Sequence, residues 1–311
     1  LPPSKKVVKK LLRLANRLGV NQVTLTAGEG IAELPEIHRV CRYYGHASWD
    51  EYLGEILRTI VGAPGRPLVP VLEVGSLGFV ELQRMRSTLP ALRLMLDSGD
   101  DGLLHRLAHR EAPHKSLEAR LRAIETAGWL GIPVITGILV GIGEAPSSWE
   151  RAAEAVAQLH ERYHHIQQFV LVPFEPMART PMELCPPPSR ELFVQACEVV
   201  KKCLDGRVSV SAEIGGHLEL VEAVIEAGIR DLGEIRLASS ERVDTELAWA
   251  LDEVAENLRA KGWHLRPRQT LVNGVLRRGI LPTAIVELLR RQREYQTRVA
   301  RNASGDTASA S

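Results

Sequence analysis

No apolar run in the chain approaches the roughly 20 residues needed to span a bilayer. The first nineteen residues, "LPPSKKVVKKLLRLANRLG", are basic and amphipathic but lack the apolar core of a signal peptide. Cysteine is scarce. The four residues Cys41, Cys185, Cys197 and Cys203 form no disulfide framework, which suits a reducing, cytoplasmic setting. Neither sign of charge prevails: 39 Lys and Arg face 38 Asp and Glu, a net charge of +1. That balance gives no global field for nucleic acid or an anionic membrane. The dinucleotide fingerprint G-x-G-x-x-G, the phosphate loop G-x-x-x-x-G-K-[ST] and the serine elbow G-x-S-x-G are all missing.

Short β-branched runs alternate with longer helical ones. Strands are expected over 21–28, 67–75, 91–99, 131–143, 165–174, 207–213 and 230–236. Helices are expected over 7–18, 49–60, 80–86, 117–129, 146–163, 189–204, 217–228 and 244–261, with a long loop between residues 28 and 49. Such alternation argues for a parallel sheet covered by helices. Eight strand–helix units would close a barrel. Seven strands are legible, so the expected fold is an α/β, TIM-like (βα) barrel lacking its first strand. One barrel domain is expected over 1–289, followed from residue 290 by a basic, disordered tail ending "NASGDTASAS".

In such barrels the working residues gather at the C-terminal ends of the strands. The exits here are "TAGEG" (26–30), "LEVGS" (72–76), "LDSGDD" (96–101), "VGIGE" (140–144), "VPFEP" (172–176), "SAEIGG" (211–216) and "LGEIR" (232–236). Each has a carboxylate, and nearly all have glycine. A rim of this kind suits a polar, hydroxyl-bearing or cationic ligand lying close to backbone. "GIGEAPSS" is a poor phosphate site, because Glu144 would repel a phosphate at the following helix N-terminus. The spacing of His38, Cys41 and His46 could serve zinc, but no matching second pair exists and no metal site is assigned. His160, His164 and His165 are expected to be structural, and Cys197 and Cys203 to pack within one helix.

Two long stretches, "PHKSLEARLRAIETAGWLGIPVITGILVGIGE" and "LHERYHHIQQFVLVPFEPMARTPM", resemble radical S-adenosylmethionine enzymes. The nearest likeness is to the ring-closing subunit of the deazaflavin-forming synthases. It extends more weakly through "VTLTAGE", "LRLMLDSG" and "LVEAVIEAGIRDLGEI". The resemblance implies that Gly28 and Glu29 belong to the strand-exit motif holding the methionyl amino group of S-adenosylmethionine. It places Asp97 and Ser98 near the ribose and methionyl end. Gly137, Leu139, Gly141 and Glu144 match the G-x-I-x-G-x-x-E strand beside the adenine, with leucine in the isoleucine place. Glu144 is expected to fix the following turn rather than to act on substrate. No catalytic residue is assigned.

The same resemblance implies a 4Fe–4S cluster, yet the C-x-x-x-C-x-x-C loop that would bind it is absent. The chain also begins at Leu1. A missing strand, a missing cluster loop and a non-methionine start have one economical explanation, an N-terminally incomplete sequence. A paralogue that lost its cluster is the rival. "LVPF" and "RLASSERVD" also depart from the family pattern, the latter lacking an expected Asn–Pro segment. The implied activity is formation of a deazaflavin chromophore from a tyrosine-derived adduct of a ribityl-diaminouracil. The implied partners are that small-molecule substrate, a sister radical enzyme supplying it and an external electron donor.

Overall fold

The computed structural model describes residues 2–110, 112–214, 217–234, 238–239, 242–243, 245–266, 268, 271 and 279–304. Six parallel strands form one sheet in sequence order: β1 (Gln22–Thr26), β2 (Val69–Glu73), β3 (Ala91–Arg93), β4 (Val134–Val140), β5 (Ile166–Pro173) and β6 (Val210–Ala212). Every consecutive pair needs a crossover, and helices supply it. The chain divides into two compact units, Leu1–Leu92 with Gln269–Ser311, and Arg93–Arg268.

In the first unit, α1 (Lys5–Leu18) starts where the Ser4 hydroxyl accepts the Val7 N–H. It is followed by α2 (Pro35–Tyr43) and α3 (Trp49–Val61), the latter capped by Ser48. Along α3, Leu53, Ile56, Leu57 and Ile60 recur at helical spacing and are all buried. Each such side chain contributes about 1.5–3 kcal/mol on leaving water. The loop expected between β1 and α3 contains α2, which lies within residues 28–49. Its stripe is only Ile37 and Cys41, too short to register as a period. The helix α4 (Phe79–Met85) precedes β3.

Residues 290–304, expected as disordered tail, are helical instead. A helix over Thr283–Ser304 buries Ile285, Leu288 and Gln292 at i, i+3 and i+7. Gln292 donates through Nε2 to the Asn21 carbonyl at 2.7 Å. The remaining tail residues lie outside the described ones.

In the second unit, α5 (Leu117–Trp129), α6 (Ser147–Tyr163) and α7 (Arg190–Leu204) cover the strands, and serines 116 and 189 cap α5 and α7. Then come α8 (Val221–Glu226), a separate antiparallel pair β7 (Ala238–Ser239) and β8 (Arg242–Val243), and α9 (Thr245–Ala260). Residues 230–234, expected to open a seventh strand, are not a strand. One rung survives, from Ala212 N–H to the Asp231 carbonyl at 3.0 Å. Residues 235–237 lie outside the described ones, as does most of "RLASSERVD". Among the described residues no helix is long and apolar enough to cross a membrane.

Candidate functional site

The second unit gathers most of the expected site. Beyond β3 the chain stays extended beside β4: Leu94 and Leu96 donate to the carbonyls of Ile135 and Gly137, and Leu139 donates to the Asp97 carbonyl. Asp97 bridges to Ile138, so the two strand exits end level with each other. Asp97 has a positive φ of 64° and is buried. An aspartate tolerates that region better than most residues, and the turn it makes aims its carboxylate at Lys115. Lys115 Nζ lies 2.9 Å from Asp97 Oδ2, and Arg120 Nη2 lies 3.9 Å from it. His109 is buried in the same group. Burial, and then the Lys115 charge, hold its imidazole below the usual value against the pull of Asp97.

Ser98, also buried, accepts the Asp100 N–H at 3.0 Å. Asp100 in turn accepts from Gly102 and Ala145, at 2.9 and 3.3 Å. Arg106 donates to the Gly143 carbonyl at 2.8 Å. The loop after β3 is thereby tied to the loop after β4.

Glu144 carries out the structural role expected of it. Its two carboxylate oxygens accept the N–H groups of Gly141 and Ile142 at 2.9 and 2.8 Å, and the Trp149 indole N–H at 2.9 Å. Gly141 is required twice over. Its φ is 96°, and a Cβ there would stand 2.8 Å from Pro188. A Cβ on Gly137 would overlap the Val170 carbonyl. Leu139 packs on a cluster of Leu103, Ile142 and Phe174, with Met182 and Cys185 of the loop after β5 laid against it. The exits of β3, β4 and β5 therefore present backbone and apolar side chains together, suited to the edge and face of a flat ligand.

In the first unit, Gly28 has open space where a Cβ would stand. Glu29 accepts the Ser76 N–H at 2.9 Å, linking the exits of β1 and β2. The Thr26 hydroxyl reaches Glu73 Oε2 at 3.4 Å. The carboxylates at the strand exits are largely committed to partners of the chain itself.

Sequence reasoning missed a second buried group in the second unit. Arg93 Nη2 meets Glu213 Oε2 at 2.6 Å, and Arg93 Nη1 lies 3.8 Å from Glu234 Oε2. The partners are 120 residues apart in sequence, so no local pattern marks them. Lys115 and Arg120 were in view as sequence but carried no signal of converging on Asp97.

The metal candidates do not converge. His46 pairs with Glu55 at 2.8 Å, and Cys41 is buried with its thiol pushed up by burial. "HERYH", His160 to His164, spells the H-E-x-x-H pattern of zinc peptidases, where structural histidines and no such motif were expected. Here His164 is the left-handed cap of α6, with φ 54°, and Glu161 bonds Arg207 at 3.1 Å. Cys197 is buried in α7, its thiol pushed up to about 12 by burial. Among the described residues, no group of three or more His, Cys, Asp or Glu could hold a metal ion. The four cysteines thus do not fit a 4Fe–4S cluster. At the β3 exit, Asp97, Lys115 and Arg120 bring together one carboxylate and two cationic side chains.

The chain is 30% identical over 286 residues to 7,8-didemethyl-8-hydroxy-5-deazariboflavin synthase of Methanoculleus marisnigri, covering 92% of this chain and 83% of that protein. It is 32% identical over 254 residues to the protein of that name from Thermosynechococcus vestitus, covering 80% and 75%. Among solved structures it resembles the FeFe-hydrogenase maturase of Carboxydothermus hydrogenoformans, with a TM-score of 0.63, 16% identity and coverage of 97% and 71%. It also resembles methylornithine synthase, with a TM-score of 0.59, 18% identity and coverage of 88% and 75%. These two likenesses establish the fold, that of the TIM-like barrels of radical S-adenosylmethionine enzymes. No protein-family model matches the chain.

Proposed function

Because the chain belongs to the 7,8-didemethyl-8-hydroxy-5-deazariboflavin synthase family, we propose that it binds S-adenosylmethionine and a tyrosine-derived adduct of a ribityl-diaminouracil, and that it serves formation of the deazaflavin chromophore. The observation that carries this reading is the group of buried Asp97 and Arg120 with half-buried Lys115 beside the β4 exit. Asp97 accepts ribose hydroxyls, the two cations pair with the methionyl carboxylate, and Leu139 with Ile142 covers the adenine. Loop residues Met182 and Cys185, packed over that cluster, exclude water from the same edge.

When bound, S-adenosylmethionine supplies the hydrogen-abstracting radical of this family's chemistry. That chemistry also needs a reducing cluster, for which the cysteines of this chain provide no ligand set. A second reading is a cluster-less barrel that holds S-adenosylmethionine or a pathway intermediate without radical chemistry. Anaerobic reconstitution with iron and sulfide separates them. Deazaflavin formed from the adduct supports the synthase. Retention of S-adenosylmethionine without iron uptake or product supports the binding barrel, and failure to bind either ligand overturns both.

A further inference from the structure

The helix α1 carries six basic residues, Lys5, Lys6, Lys9, Lys10, Arg13 and Arg17, and no acidic one. Like charges four residues apart destabilise a helix, and so do the two lysines that open it, at the positive end of its dipole. The chain as a whole is nearly neutral, so this is a local excess. Other helices balance their charge: Arg39, Arg122 and Arg290 each pair with a glutamate of their own helix.

One row of the excess faces a groove. Lys5, Lys9 and Arg13 of α1 stand across from Glu55 and Arg58 of α3, and Leu12, Ala63 and Pro64 give the groove an apolar part. Its volume is about 650 Å³, within the range of small-molecule sites, about 300–1,000 Å³.

Both ends of the groove are closed by specific contacts. At one end Glu55 accepts from Lys5 Nζ at 2.7 Å and lies 2.8 Å from His46 Nε2. At the other, Asn16 Oδ1 accepts the Arg66 N–H at 3.0 Å, and Asn16 Nδ2 reaches the Pro64 carbonyl at 3.5 Å. That second end lies where β1 and β2 begin, away from Gly28 and Glu29 at the β1 exit. Between the two ends, Lys9, Arg13 and Arg58 have no ion pair or side-chain hydrogen bond among the described residues.

We propose that the groove between α1 and α3 binds a compact ligand carrying a chain of two or three phosphate groups. Three cations without partners call for more than one negative charge, and a monoanion would leave most of them uncompensated. Lys9 and Arg13 are one helical turn apart, about 6 Å, close enough to hold neighbouring phosphates of one chain. Arg13 and Arg58 offer planar forks that match phosphate oxygens in pairs. The closed ends select a compact molecule over a polymer such as RNA. The bound phosphates also relieve the repulsion along α1. This site is separate from the strand exits and does not depend on the proposed function.

The test is calorimetric titration of the 311-residue chain, at low ionic strength, with sodium tripolyphosphate and separately with ATP. One saturable site is expected, with orthophosphate binding more weakly. The double variant Lys9→Ala/Arg13→Ala should bind tripolyphosphate at least about tenfold more weakly, with the Tm of the parent, since both side chains are exposed. Lys6→Ala/Arg17→Ala removes two charges from the same helix but none from the groove, and should stay within about twofold of the parent. Tighter binding of ATP than of tripolyphosphate identifies a nucleotide as the ligand, and equal affinities identify the phosphate chain alone; both support the site. Absence of a saturable site overturns the proposal. Equal losses in the two double variants overturn it as well, because they report diffuse attraction to a basic helix. Retention of the chain on RNA or anionic vesicles without tripolyphosphate binding has the same consequence.

Discussion

The Glu144 carboxylate accepts the indole N–H of Trp149 at 2.9 Å while also holding two backbone N–H groups of its own turn. One side chain thereby fixes the β4 exit to the buried first turn of α6. The glycine-rich turn beside the expected adenine is held by the protein's own groups.

Removing that carboxylate should be costly. Hydrogen bonds to a charged group contribute about 1.5–3 kcal/mol each, with shared losses when one acceptor serves several donors. Glu144→Ala should lower unfolding free energy by about 2–4 kcal/mol in urea titrations. Glu144→Gln should lose less, because its amide keeps one accepting oxygen. A Glu144→Ala chain as stable as the parent would contradict the assigned role.

Gly141→Ala should act through backbone and space together. Its φ of 96° and the Pro188 contact at 2.8 Å leave no relaxed place for a methyl group. A loss of about 1–3 kcal/mol is expected, the range for a strained backbone position. Thermal unfolding and the affinity for S-adenosylmethionine should both fall. If neither moves, the turn is not the rigid wall described here.

Acid should weaken the fold through His165. It is fully buried, its Nε2 lies 3.0 Å from the Ile124 carbonyl, and burial pushes its pKa down to about 4. Below about pH 6.5 the unfolded chain takes up a proton that the folded chain refuses. Stability from this residue is therefore full above pH 6.5 and falls until about pH 4, by up to ~3 kcal/mol. Urea midpoints measured across that window should slope for the parent and slope less for His165→Phe. Equal slopes would contradict the assignment.

The helix Thr283–Ser304 should behave as part of the first unit. Leu288 is fully buried there. Leu288→Ala should cost about 2–5 kcal/mol, as for other core leucines. A disordered tail would show no change by chemical denaturation.

Elements with their own caps and periods were legible in the sequence. The 117–129 helix matches α5, between the Ser116 cap and Trp129, and β4 lies inside the expected 131–143 run. Other elements depended on tertiary contacts. The short α2 has too few apolar positions to show a period. The charges after residue 290 masked the Ile285, Leu288 and Gln292 stripe, whose value lies in what it packs against. At residues 230–234 β-like composition gave way to a turn built on Gly233, holding Glu234 near Arg93. The Glu144 turn was readable because its partners are local. The Arg93–Glu213 pair was not, because 120 residues separate its members.

Calorimetric titration of S-adenosylmethionine into the parent chain and Asp97→Asn tests the central claim most directly. Asparagine tolerates the positive φ of 64° at this position, so the variant removes charge while sparing the turn. One saturable site is expected in the parent, with affinity at least tenfold weaker in Asp97→Asn. No saturable binding by the folded parent, or equal affinity in the variant, would contradict the account.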